Sequence, residues 1–218
     1  MENINRHIEH TLLKQDAQRE DFIKLFNEAK EHNFLGVCIN PNYIQFAKKE
    51  LAGSNVKIVT VVGFPLGANR SDVKAFETGK AIQDGADEID MVINVTAIKD
   101  KNYNFVLNDI KTVKEACGNI PLKVILETDL LDKEEIKKAC ELCIEAKADF
   151  VKTSTGFVKG GVGAKAEDVK LMFETVSPYG LKVKASGGIR DKETAIKMLQ
   201  AGAERLGTSS GVKIIEDN

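Results

Sequence analysis

Long apolar runs are missing from this sequence. Nowhere does a stretch of about 18 apolar residues occur, and the first turn-rich segment has no apolar leader, so neither a membrane-spanning helix nor a secretory signal is expected. A cytoplasmic location follows as the expectation. Charge of one sign is also missing: the net charge is −2, which gives no global field toward nucleic acid or a membrane surface. Metal-ligand spacing is absent too, because His7, His10 and His32 form no helical His-x-x-x-His arrangement, and no structural metal is expected. The four cysteines include Cys140-Glu-Leu-Cys143, but Ile136, Ala139, Cys140 and Cys143 recur at i, i+3, i+4, i+7. That is the buried stripe of a helix rather than a ligand set. Cys117 continues the similar stripe of Val106, Ile110 and Val113. Only Cys38, near the end of an expected strand, has a place close to a site.

What is present is a strict alternation of strand and helix. Strands are expected at 7–11, 34–40, 56–62, 88–94, 121–127, about 149–153, 181–186 and 205–208. Asp16, Asp132 with Glu135, and Asp191 are candidate helix caps, and Gly85 a helix stop. The first helix carries Phe22, Leu25, Phe26 and Ala29; the helix after strand six carries Val169, Met172, Phe173 and Val176. Eight such units in 218 residues, with no linker or composition break, predict one α/β domain over residues 1–218. Its expected architecture is a single (β/α)8 TIM barrel. Asp84-Gly-Ala-Asp87, Lys147-Ala-Asp149 and Ala201-Gly-Ala-Glu204 repeat before strands four, six and eight, as helix ends feeding strands. The rival, an open doubly wound sheet, needs a Gly-x-Gly-x-x-Gly turn after its first strand, and none is there.

Two of these strands end in lysine. Asp-Phe-Val-Lys-Thr-Ser-Thr-Gly-Phe runs from Asp149 to Phe157, and Leu-Lys-Val-Lys-Ala-Ser-Gly-Gly from Leu181 to Gly188. A lysine buried at such a place finds a partner or loses its proton, and a neutral lysine is a nucleophile. Bringing a lysine from its usual 10.4 to about 7 takes roughly 4 to 5 kcal/mol against the charged form. A second ammonium about 4 Å away supplies about 4 kcal/mol at an effective dielectric of 20. Strand four adds a mid-strand acid, Asp90, on one face with Val92 and Asn94. Barrel interiors are layered from alternate strands, so Asp90 and Lys152 can share a layer, with Lys184 in the next. Asp90 also fits a structural ion pair equally well, and this arithmetic does not decide which lysine is the neutral one. Ser186-Gly187-Gly188 and Gly207-Thr-Ser-Ser-Gly211 fall after strands seven and eight, where such barrels often bind phosphate with backbone N–H groups and a helix N-terminus.

Seven motifs in order make the chain resemble the deoxyribose-phosphate aldolase family of class I aldolases. They are Glu-His-Thr-Leu-Leu at 9–13, Val-Cys-Ile-Asn-Pro at 37–41, Val-Gly-Phe-Pro-Leu-Gly at 62–67, Glu-Ile-Asp-Met-Val-Ile-Asn at 88–94, Val-Lys-Thr-Ser-Thr-Gly-Phe at 151–157, Val-Lys-Ala-Ser-Gly-Gly-Ile-Arg at 183–190 and Gly-Thr-Ser-Ser-Gly at 207–211. The resemblance implies Lys152 as the Schiff-base lysine, Lys184 as the lysine that perturbs it and relays protons, and Asp90 as the proton-transfer acid. It implies Gly156, Gly187, Gly188, Gly207, Ser209 and Ser210 around a phosphate. The implied reaction is reversible cleavage of 2-deoxyribose 5-phosphate to glyceraldehyde 3-phosphate and acetaldehyde, in deoxynucleoside catabolism. It requires no cofactor and implies small phosphosugar and aldehyde partners and a homo-oligomer.

The sequence departs from the family pattern in four places. Glu9 stands where the motif more often has Asp, Phe157 where some members have lysine, and the loop from Lys159 to Gly163 is longer, with Lys159 the candidate replacement cation. The chain also ends soon after strand eight, without the tyrosine-bearing tail of some relatives. Alternatives are another Schiff-base barrel aldolase or transaldolase, and a phosphosugar-binding barrel without turnover. A metal-dependent epimerase would want several His and Asp ligands that His10 alone does not provide.

Overall fold

A computed structural model describes residues 3–217. Eight parallel strands close on themselves in sequence order: β1 (Ile8–Leu12), β2 (Gly36–Ile39), β3 (Lys57–Val62), β4 (Glu88–Val92), β5 (Leu122–Ile125), β6 (Phe150–Lys152), β7 (Lys182–Ser186) and β8 (Arg205–Thr208), with β8 pairing back onto β1. The expected barrel is what forms. Among the described residues the α-helices are α1 (Arg19–Glu31), α2 (Ile44–Glu50), α3 (Ser71–Asp84), α4 (Val95–Lys99), α5 (Tyr103–Cys117), α6 (Lys133–Glu145), α7 (Ala166–Val176), α8 (Lys192–Gln200) and α9 (Gly211–Glu216). None is long and apolar enough to cross a membrane.

The helices pack where their periodicity says. α1 buries Phe22, Leu25, Phe26 and Ala29, and α6 buries Ile136, Ala139, Cys140 and Cys143, so the four cysteines, Cys38 and Cys117 included, are free and buried. Asp132 and Glu135 form the reciprocal cap of α6, Asp191 accepts the Thr194 N–H at 2.8 Å, and Gly85 ends α3 at φ +115°. Some expectations need correction. Asp16 does not cap α1; that position belongs to Gln18, whose N–H donates to Asp21 at 2.8 Å. Phe173 is 41% exposed, because its ring lies over Gly202 on the outer side of α7. Strand four stops at Val92, and Asn94 instead accepts the Ala97 N–H as the cap of α4.

The repeated acids have a structural meaning. The Asp87 carboxylate accepts the Ile58 N–H at 2.7 Å and that of Asp149 accepts the Leu122 N–H at 2.8 Å. Each acid at the entrance of one strand thus accepts an N–H from the first two residues of the strand before it, at the barrel's lower rim. Apolar residues between sheet and helices make the main core, which spans every helix. Inside the barrel a second, small cluster of Leu13, Cys38, Val59 and Val61, with Phe64, covers only the β1–β3 side. On the other side the interior carries charged side chains, interleaved with Val92, Ile125 and Phe150.

Candidate active site

Alternation along β4 turns both Glu88 and Asp90 inward, and the same rule brings Glu9 from β1, Lys123 from β5, Lys152 from β6 and Lys184 from β7. All six are buried: Glu9, Asp90, Lys123 and Lys184 at 0% exposure, and Lys152, at 3%, the one that reaches the cavity at the mouth. Register places Lys152 beside Lys184. Side-chain bonds then stitch β6 to β7: the Thr153 hydroxyl donates to the Ser186 carbonyl and accepts the Ser186 N–H, both at 2.9 Å, while the Ser186 hydroxyl donates to the Ser154 carbonyl at 2.6 Å.

The two lysines meet on one atom. Lys152 Nζ donates to Asp90 Oδ2 at 2.8 Å and Lys184 Nζ donates to the same oxygen at 2.7 Å. Those separations laid end to end keep the two nitrogens within about 5.5 Å of each other. Lys184 also donates to Glu9, the residue that replaces the family's more usual Asp. Asp90 Oδ1 faces Lys123 at 3.1 Å, and Lys123 faces Glu88 at 2.5 Å. Asp90 therefore touches three lysines, the third of them, Lys123, not singled out from the sequence.

Electrostatics separates the roles. Burial works against charge on Lys184, but Asp90 and Glu9 outweigh it and hold its pKa above the usual lysine value. The same contest keeps Lys123 protonated through Asp90, Glu9 and Glu88. Burial opposes ionisation of Asp90 as well, yet Lys123, Lys152 and Lys184 carry it well below the carboxylate range. The three buried acids Glu9, Glu88 and Asp90 stand among Lys123, Lys152, Lys184 and the largely buried Arg205. Cys38 lies in the apolar inner wall with its thiol pushed up by burial, so it stays a neutral hydrophobe.

Above Lys152 opens a cavity of about 330 Å³. Gly156, Gly187, Gly188, Gly207 and Ser209 line it together with Thr155, Phe157 and Ser186. Ser210 is not in this wall: it precedes α9, and its N–H is taken by the Thr208 hydroxyl at 2.9 Å. Gly188 adopts φ +74°, and a Cβ there would come within 2.3 Å of the Val162 carbonyl. At Gly207 a Cβ would come within 2.9 Å of Ser186 Cβ and 3.0 Å of Lys184 Cε, so glycine is what lets β8 lie this close to β7 without a shift. Lys159 is exposed and outside the wall, whereas Arg190 and Lys14 belong to it.

The β5–α6 connection ties down the glycine-rich loop at both ends. Glu127, buried and at φ +61°, accepts the Thr155 N–H at 3.1 Å and the Thr155 hydroxyl, and Asp129 accepts the Gly163 N–H at 2.8 Å. Sequence reading missed Glu88, Lys123, Glu127, Arg190 and Lys14. The signal for Lys123 was available in Leu-Lys-Val-Ile, a lone lysine among strand-forming apolar residues like those of β6 and β7. Glu88 shares the face of Asp90 by simple alternation.

Comparison with known proteins agrees with this geometry. The profile of DeoC/LacD family aldolases matches residues 7–216. The chain is similar to the deoxyribose-phosphate aldolase of Streptococcus sanguinis, 56% identical over 98% of this chain and 96% of that one. It is also similar to the deoxyribose-phosphate aldolase of Clostridium tetani, 55% identical over 99% of each. Among solved structures, an aldolase designated QR15 superposes with a TM-score of 0.94 at 42% identity, covering 100% of this chain and 96% of that one. The tetrameric deoxyribose phosphate aldolase of Aeropyrum pernix superposes with a TM-score of 0.90 at 33% identity, covering 98% and 90%.

Proposed function

The chain belongs to the DeoC/LacD aldolase family, and we propose that its cleavage of deoxyribose phosphate runs through a Schiff base on Lys152. The observation that carries this reading is the pair of amines on one carboxylate oxygen, only one of which reaches the cavity. Uncharged Lys152 adds to the C1 aldehyde of open-chain 2-deoxyribose 5-phosphate, and water leaves as the carbinolamine becomes an iminium. The C3 hydroxyl gives up its proton and the C2–C3 bond breaks. Its electron pair moves into an enamine on Lys152, and glyceraldehyde 3-phosphate departs. Protonation of the enamine at C2 and hydrolysis release acetaldehyde and restore the amine.

Lys184, held protonated, is the like-charged neighbour that disfavours an ammonium on Lys152, and it is the donor nearest the reacting amine. Asp90, held ionised, bridges the two nitrogens and passes protons between them. At the outer end the phosphate rests on Gly156, Gly187, Gly188, Gly207 and Ser209, with Ser210 supporting the turn from behind. Successive positive-φ glycines at 187 and 188 form the backbone concavity suited to an anion, and Arg190 supplies the cation that Lys159 was expected to give. Residues 1–218 act as one catalytic domain without a cofactor, in the cytoplasm, on small phosphosugars and aldehydes rather than nucleic acid or membranes. Self-association belongs to the same reading: the Aeropyrum pernix relative is tetrameric, and Val73 and Phe76 stand exposed one turn apart on α3.

Borohydride reduction in the presence of acetaldehyde or the sugar phosphate tests the proposal. A mass increment on the peptide carrying Lys152, absent in Lys152→Leu together with turnover, is expected. Trapping on Lys184 instead would reverse the assignment.

A further inference from the structure

The charged half of the barrel interior does not stop at Asp90. From the mouth, Lys152 Nζ meets Asp90 Oδ2 at 2.8 Å, Asp90 Oδ1 meets Lys123 Nζ at 3.1 Å, Lys123 meets Glu88 Oε2 at 2.5 Å, and Glu88 Oε1 meets Lys57 Nζ at 2.5 Å. This is an unbroken column of alternating charge from the catalytic mouth to the opposite rim. Its lower end opens into a separate cavity of about 460 Å³, lined by Lys57, Glu88, Phe150, Lys182 and Arg205. Substrate chemistry at the upper mouth has no use for Glu88 or Lys57. Burying Glu88 with Lys123 below the site carries a desolvation cost that their mutual attraction only partly repays.

We propose that Glu88 and Lys57, at the far end of the barrel, are positioning residues that set through Lys123 and Asp90 how readily the Lys152 amine sheds its proton. The proposal rests on Lys152 being the Schiff-base amine. Around that amine stand Asp90 from β4, Lys184 from β7, Glu127 from the end of β5, Cys38 from β2 and, through Lys184 and Asp90, Glu9 from β1 and Lys123 from β5. Around Glu88 stand Lys57 from β3, Lys123 from β5 and Arg205 from β8 at 4.0 Å. Glu88 draws Lys123 toward itself, so Lys123 competes less with Lys152 for Asp90. Lys57, 42% exposed, offsets part of the charge on Glu88. In the low-dielectric interior such charges act over several ångströms with little screening.

The sign of each effect is fixed by charge alone. Removing the negative charge with Glu88→Gln weakens support for an ammonium on Lys152, so the acid limb of kcat/KM moves to lower pH, by about one unit for a single charge several ångströms away at an effective dielectric of 20. Removing the positive charge with Lys57→Met moves the limb the other way by a few tenths of a unit, and Lys57→Glu moves it about twice as far. A structural defect has no reason to move two variants in opposite directions.

The experiment is a pH profile of kcat/KM for 2-deoxyribose 5-phosphate with wild type, Glu88→Gln, Lys57→Met and Lys57→Glu. It is accompanied by borohydride trapping of each. Opposite shifts with adducts still on Lys152 support the column. Limbs that coincide with wild type, or that all move the same way, overturn it. Glu88→Gln leaves Lys123 under-matched in the interior; if that chain does not fold, the two Lys57 variants at the exposed end decide the matter. Absence of any wild-type adduct on Lys152 would sink the Schiff-base reading itself, a result distinct from adducts that form while the limbs stay put.

Discussion

Lys184→Met is the sharpest perturbation of the proposed catalytic pair. The ammonium of Lys184 lies within about 5.5 Å of Lys152 Nζ, through their common partner Asp90 Oδ2. At an effective dielectric of 20, two unit charges at that separation repel by about 3 kcal/mol, which corresponds to about two pH units. Methionine keeps the volume and removes the charge. It also leaves Glu9 and Asp90 with one cation fewer, which favours an ammonium on Lys152 further. The acid limb of kcat/KM should therefore rise by at least about two units, with activity near neutral pH down about 100-fold or more and recovering as the pH is raised. The assay is turnover of 2-deoxyribose 5-phosphate from pH 6 upward, with coupled detection of glyceraldehyde 3-phosphate. Breaking a buried ion pair costs about 3 to 5 kcal/mol, so thermal unfolding is followed in parallel to separate misfolding from mistuning. A loss of activity equal at every pH, with the limb at its wild-type place, would show that Lys184 transfers protons without tuning its neighbour.

Other expectations follow from the same contacts. Glu88 is held down to about 2 against its burial by Lys123 and Lys57, so its contribution is present above the ordinary 4.5 and lost as pH falls toward 2; urea unfolding should lose on the order of 3 kcal/mol across that window, and a flat profile there contradicts the pairing. Lys184 and Lys123 are raised, so what they add persists up to the ordinary lysine value and is lost only at higher pH; stability at pH 9 should match that at pH 7. Arg190→Ala should raise KM for the phosphorylated sugar about tenfold with unphosphorylated deoxyribose unaffected, while Lys159→Ala changes neither; the reverse pattern would return the phosphate to Lys159. Glu127→Gln keeps one acceptor for Thr155 but loses the other, so KM should rise several-fold with kcat nearly unchanged; an equal fall in kcat would place Glu127 in the chemistry instead.

Much of this was legible because the barrel writes its geometry locally. Asp132 and Asp191 announce their helices with cap chemistry that needs only the next three residues, and Gly85 marks a stop that no Cβ-bearing residue makes as cheaply. Lys152, Lys184 and Asp90 were visible as charges in otherwise apolar strands. What stayed hidden depends on closure. That Asp90 faces three lysines follows from a ring of strands whose shear no single stretch reveals, and Glu9 reaches Lys184 only because β8 pairs with β1. Arg190 escaped for another reason. Glycine turns at 187 and 188 fold the following residue back over the mouth, a direction set by two positive φ angles and not by any periodicity. Asp16 and Phe173 went the other way: each fitted a local rule, and each lost to a neighbour, Gln18 with Asp21 in one case and Gly202 in the other.

A buried lysine is not in itself a catalytic lysine, and this chain contains its own control. Lys74 on α3 is wholly buried, with Asp109 of α5 at 2.6 Å and the Val92 carbonyl at 3.0 Å. Asp109 is further bound by the Ser71 hydroxyl at 2.7 Å. That pair has one cation for one acid and lines neither the cavity at the mouth nor the one at the lower rim; it fastens two helices over the end of β4. At the barrel mouth the balance differs. Two ammonium candidates share one carboxylate oxygen, a third lysine holds the other oxygen, and only Lys152 touches open space. On the proposed reading, access to the cavity singles out Lys152 among these three lysines as the Schiff-base amine.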